Sequence, residues 1–118
     1  MSVHETIDKG IAILTMDNPP VNALNSTDAY FIAEKIRSYS DKKNNIKVVL
    51  LRSSGNGFCA GVDIKEMQGL PENEGILKAN HSCYEMADAI HNSKIPVIAA
   101  VNGHCLGSGI LIAGSADI

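Results

Sequence analysis

The apolar positions change their period along the chain, and each change marks an element. "VHETI" and "GIAILTM" alternate on either side of "DKG", a turn signal, which predicts a β-hairpin. "DNPPVNALN" loses the alternation and reads as a structured loop, with two prolines and three asparagines. From Thr27 to Lys43 the period becomes helical: Ala29, Ile32, Ile36 and Tyr39 share a face, and Ser26 or Thr27 is placed to cap the start. "IKVVLLR" is a continuous apolar run and predicts a strand buried on both faces. "SSGNGFCAGVD" is a glycine-rich loop. "GILKANHSCYEMADAIHN" returns to helical spacing, with Ala79, Cys83, Met86 and Ile90 on one face. "IPVIAAVN" predicts a second buried strand, and "GSGILIAGSA" a short helix opening on glycines. Strands alternating with helices predict an α/β architecture in which the two apolar strands are parallel neighbours. Their carboxyl ends then share one side, where ligand sites of parallel sheets lie.

Composition narrows the class without naming a chemistry. The 118 residues are 45% apolar and 19% charged with a net charge of −3, enough for one modest globular domain. No Lys/Arg cluster with interleaved aromatics points to nucleic acid. "MSVHETIDKG" has neither a basic start nor an apolar stretch, and "IPVIAAV" is too short to span a bilayer, so neither a secretory signal nor a membrane partner is predicted. Cys59, Cys83 and Cys105 lack metal spacing and are odd in number. Reduced thiols in a cytoplasm and no metal site are the expectation.

The candidate chemistry lies in two glycine loops, each following an apolar strand: "GNGFCAGVDIKEM" and "GHCLGSGIL". Backbone N–H groups at a helix start have no intrahelical partner, and glycine lets a ligand approach closely. Two converging loops can each aim one N–H at a single oxygen, which is the device that stabilises a developing oxyanion. Plain turns are the alternative for either loop. Gly103, Gly107 and Gly109 also fit a G-x-x-x-G-x-G nucleotide spacing. A dinucleotide loop, however, is followed about twenty residues later by an acidic ribose ligand, and only nine residues follow Gly109.

"NPPVNALN", "GFCAGVDIKEM" and "IPVIAAVNGHCLGSGILIAGSADI", in this order and spacing, resemble the signature segments of the crotonase superfamily, which includes enoyl-CoA hydratases and isomerases. The resemblance implies a spiral of repeated ββα units acting on acyl-CoA thioesters, with coenzyme A carried by the substrate and no separate cofactor. It implies an oxyanion hole made by the N–H groups of Val62 and Ser108, the latter where the family usually has the middle glycine of three, beside Gly107. It implies a coenzyme A surface over Ala60, Gly61, Asp63, Ile64 and Lys65 and the loop of Asn22, Ala23 and Leu24, with Lys65 suited to a phosphate. It further implies that residues 1–118 are the N-terminal portion of the domain, incomplete at the C-terminus. Ile110, Ile112 and Ile118 should then be exposed, and the complete protein should form a trimer or hexamer.

Leu111 departs from the hydratase pattern. Hydratases carry a glutamate at this position, and the family's second glutamate would lie beyond Ile118. Poor hydration of simple enoyl-CoA is expected. "GVDIKEMQ", "ANHSCYEM" and a second loop without glutamate resemble a subgroup that hydrolyses a ring carbon–carbon bond in polycyclic CoA thioesters of steroid breakdown. A non-catalytic acyl-CoA binding remnant and a nucleotide-dependent oxidoreductase are the readings from other classes.

Other polar and sulfur side chains have quieter readings. Asp63 and Glu66 fit first-turn carboxylates better than a catalytic pair. His81 reads as a surface histidine and Tyr84 as a packed tyrosine, with an acid or base role as the alternative. Cys59 and Cys105 read as small buried fillers and Cys83 as core.

Overall fold

A computed structural model describes residues 2–118. Strand β1 (Val3–Asp8) and β2 (Ile11–Met16) form the hairpin, paired from Val3↔Met16 to Asp8↔Ile11. Lys9 and Gly10 both take positive φ in its two-residue turn, the conformation that matches strand twist. Helix α1 (Ser26–Tyr39) crosses back to β3 (Val48–Ser53), parallel to β2. Two helices, α2 (Ile64–Gln68) and α3 (Glu72–His91), lead to β4 (Val97–Ala99), parallel to β3, and α4 (Ser108–Ser115) follows. The sheet order is β1-β2-β3-β4.

One sheet face carries the core. Ala12, Leu14, Val49, Leu51 and Val97 pack with Ala29, Ile32 and Ile36 of α1 and Met86, Ala89 and Ile90 of α3. On the other face Ile13, Leu50 and Ile98 are only half-buried, so β3 is covered on one face rather than both. Ile112 belongs to the core and is not exposed, whereas Ile110 and Ile118 are. Asn25, not Ser26 or Thr27, caps α1 by accepting from the Asp28 N–H. That helix stops at Tyr39, before a 3-10 turn at Lys42–Asn44. Tyr39 is buried and donates its hydroxyl to Glu5. Burial, then that carboxylate, pushes its pKa far up. Cys83 is half-buried rather than core, and Tyr84 is 63% exposed rather than packed. Among the described residues no helix is long and apolar enough to cross a membrane.

Beyond the sheet, extended segments pair turn upon turn. Leu24 bridges Val62 in parallel, and Cys59 bridges Cys105 in parallel. Each turn therefore runs strand, short extended rung, helix, and the turns stack as an α/β spiral.

Candidate active site

The Asn18–Asn25 segment supports the site from below. Asn22 adopts a left-handed φ of 56° and is 4% exposed. Its side-chain amide donates to the Ser54 carbonyl at 2.8 Å and the Gly57 carbonyl at 2.9 Å, and its Oδ1 accepts from the Asn18 N–H at 2.8 Å. The side chain is thus spent on holding the first glycine loop. The resemblance in sequence groups Asn22 with the ligand surface, and nothing in local pattern shows this pinning role. A cis Pro19–Pro20 bond lies in the same segment.

The first loop is fixed from two sides. Toward the first turn, the Leu24 N–H donates to the Gly61 carbonyl at 2.8 Å and the Asp63 N–H to the Leu24 carbonyl at 2.9 Å. A parallel bridge of this kind turns the N–H of the residue between those bonds, Val62, the other way. Toward the third turn, the Phe58 and Cys59 N–H groups donate to the His104 carbonyl at 2.9 and 3.1 Å, and the Leu106 N–H donates to the Cys59 carbonyl at 2.9 Å. Phe58 and Cys59 are fully buried.

The second loop inherits its register from this pairing. Cys59 faces Cys105, and the same offset along the chain matches Gly61 with Gly107 and Val62 with Ser108. Gly61 and Gly107 do meet: a Cβ on Gly107 would stand 3.3 Å from the Gly61 Cα. Both have positive φ, 108° and 53°, so glycine is required twice over. Gly109 presses against the first loop as well, since a Cβ there would lie 2.8 Å from the Cys59 carbonyl oxygen. Ser108 opens α4 and is 4% exposed. Among the described residues neither the Val62 N–H nor the Ser108 N–H is donated to another protein group.

Ala23, Ala60, Val62, Asp63, Ile64 and Lys65 line one cleft of about 430 Å³, together with Asn18, Pro19, Pro20 and Val21. Leu24 and Gly61 are buried behind it, and Gly107 and Ser108 lie outside its lining. Asp63 caps α2, accepting from the Lys65 N–H at 3.0 Å. Glu66 instead reaches across to α1, accepting from the Ser26 N–H at 2.8 Å and from the Ser26 hydroxyl. Both acids are helix-end carboxylates, as the sequence suggested for them.

His104 is a site residue that the sequence did not single out. Its ring lies over Gly57, where a Cβ would come within 1.8 Å of the imidazole, and its Nε2 is 2.8 Å from the Val21 carbonyl oxygen. It ties the second loop to the rim of the cleft. His81 lies elsewhere on the surface, its Nδ1 2.6 Å from the Tyr30 hydroxyl. Among the described residues no cluster of three or more potential metal ligands occurs.

Residues 6–118 match the family described as enoyl-CoA hydratase/isomerase. The (7aS)-7a-methyl-1,5-dioxo-2,3,5,6,7,7a-hexahydro-1H-indene-carboxyl-CoA hydrolase of Mycobacterium tuberculosis is 40% identical over 113 residues, 96% of this chain and 45% of that protein. The protein of the same name from Rhodococcus jostii is 40% identical over 119 residues, covering 100% of this chain and 46% of its own. Among solved structures, an enoyl-CoA hydratase/carnithine racemase from Magnetospirillum magneticum superposes with a TM-score of 0.88 at 31% identity, over all of this chain and 45% of that one. The chain spans about half the length of the curated relatives it matches.

Proposed function

The chain belongs to the enoyl-CoA hydratase/isomerase family, and from that premise we propose that it builds the oxyanion-stabilising part of an enzyme site for acyl-CoA thioesters. The observation that supports the reading is the contact between Gly61 and Gly107, whose following residues, Val62 and Ser108, each keep an N–H that no protein group accepts. A thioester carbonyl held by these two donors gains negative charge as it becomes an enolate or a tetrahedral intermediate. Preorganised N–H groups stabilise that charge more than the neutral carbonyl, which is what lowers a barrier. Ala60, Asp63, Ile64 and Lys65, with Ala23 across the cleft, form the surface for the coenzyme A portion. Lys65 is placed for a phosphate. Leu24, Gly61 and Gly107 shape this surface through the backbone, and Asn22 through its side-chain bonds to the first loop.

Leu111 can neither hold nor protonate water, so simple hydration is not the reaction this segment favours. Two relatives at 40% identity are named as hydrolases of a bicyclic carboxyl-CoA. That likeness favours hydrolytic opening of a ring in a polycyclic CoA thioester as the second, more specific reading. The reading takes coenzyme A as part of the substrate and calls for no metal or further cofactor. A cytoplasmic homo-oligomer, trimeric or hexameric, accords with it, and nucleic acid and membrane have no part in it.

Thermal shift is the direct test. A ligand that binds the folded state at a hundred times its Kd stabilises by about 2.7 kcal/mol. Coenzyme A and an acyl-CoA should raise Tm, and NADH should not. A shift with NADH alone would move the protein to the oxidoreductase reading. Binding without turnover across an acyl-CoA panel would leave a binding remnant.

A further inference from the structure

Two of the three cysteines lie where the loops cross, held in register. Cys59 and Cys105 are partners in a parallel bridge. Bonds from the Cys59 N–H to the His104 carbonyl and from the Leu106 N–H to the Cys59 carbonyl fix that pairing. Paired residues on adjacent strands stand about 4.8 Å apart with side chains on the same face, inside the Cα window of about 4.4–6.8 Å that a disulfide accepts. Both side chains point toward the core: Cys59 belongs to it, and Cys105 packs against it while half-buried. Both thiols are free. The Cys59 sulfur also touches both loops near the proposed donors, 3.5 Å from the Gly61 nitrogen and 3.8 Å from the Ser108 hydroxyl.

We propose that Cys59 and Cys105 are a reversible modification site, a thiol pair that a hydroperoxide converts to a disulfide joining the two glycine loops. Cys105, the more accessible thiol, attacks the peroxide as its thiolate. The O–O bond breaks, one oxygen leaves as water or alcohol, and Cys105 becomes a sulfenic acid. The Cys59 sulfur then attacks the Cys105 sulfur and displaces the hydroxyl as water. The two sulfurs together lose two electrons and two protons. Burial pushes the Cys105 thiol up, and the neighbouring Cys59 adds to this, so Cys105 rests as a thiol at neutral pH. Bond formation draws the Cys59 sulfur away from Gly61 and Ser108 and shifts the residues that precede and carry the two N–H groups. This last consequence rests on the proposed function, whereas bond formation does not. Cys83, on α3, lacks any such backbone register with Cys59 and serves as the internal control.

The test is non-reducing peptide mapping of the full chain after hydrogen peroxide, with free thiols alkylated under denaturant. A Cys59–Cys105 linked peptide, an alkylated Cys83 and reversal by dithiothreitol are expected, and Cys105→Ser should keep Cys59 alkylatable. A Cys59–Cys83 link, an intermolecular disulfide, or the absence of any link would overturn the proposal. In parallel, acyl-CoA turnover of the oxidised protein should fall about a hundredfold, the scale of an ångström-level misplacement, and recover on reduction, with Cys105→Ser unaffected. Unchanged turnover in fully linked protein would overturn the regulatory consequence. A reduced protein that turns over no acyl-CoA would count against the proposed function and leave the mapping result standing.

Discussion

The two glycine loops look alike in sequence and differ in how they are held. The first, around Phe58–Asp63, is the middle layer of a stack. It donates to and accepts from the turn before it and the turn after it, and Asn22 pins it from beneath. The second, Gly103–Gly109, is anchored on the first-loop side, while Gly103, His104, Leu106 and Gly107 are exposed. The first loop behaves as framework and the second is positioned by it. A glycine-rich signature therefore says that backbone must come close to something, not whether the loop sets a register or receives one.

Ser108→Pro probes the receiving loop most severely. It deletes one proposed donor without adding charge. Turnover should fall about 100- to 1,000-fold, or roughly 3–4 kcal/mol of transition-state stabilisation. Circular dichroism must show the fold retained, and near-normal turnover in that folded variant would end the oxyanion assignment. Asn22 probes the framework loop. Asn22→Ala strands two carbonyls and the Asn18 N–H and keeps a β-carbon at positive φ without the short polar side chain that tolerates it, for about 2–4 kcal/mol of lost stability. Asn22→Gly strands the same carbonyls but tolerates the φ. It should recover about 1–2 kcal/mol of that loss in denaturant unfolding. Equal losses would mean that the backbone conformation contributes nothing. The mildest change tests where the second loop is anchored. A Cβ on Gly103 would lie 2.1 Å from the Asn56 carbonyl oxygen, while one on Gly114 meets nothing within 4 Å. Gly103→Ala should cost about 1–3 kcal/mol. Gly114→Ala, inside α4, should be neutral or stabilise by up to about 1 kcal/mol. Reversed signs would show that the second loop is not seated on the first.

Local pattern made much of this legible. "DKG" between alternating strands announced the hairpin, and "IKVVLLR" and "IPVIAAVN" announced parallel neighbours, because period and turn chemistry are written within a few residues. What failed depends on groups distant in sequence. The apolar run of β3 did not reveal that Leu50 would be only half-covered, since coverage is set by what packs on each face. Glu66 could be read as a helix-end carboxylate, but not as serving α1, whose Ser26 is forty residues away. Asn22 and His104 act through carbonyls of Ser54, Gly57 and Val21, and carbonyls leave no trace in side-chain pattern. The two loops were visible in the sequence because glycine is costly elsewhere. Their mutual register was not.

That register divides the chain by its tolerance to changes in length. Between Asp63 and His104 a residue can be gained or lost in a connection, and Cys59 can still meet Cys105 if the surrounding elements re-seat. Within residues 59–62 or 105–108 a single insertion would leave Gly61 facing a residue other than Gly107 and slide one proposed donor past the other. Drift among descendants of this chain should therefore collect in the α2–α3 connection and be forbidden in two four-residue stretches, however variable their side chains become.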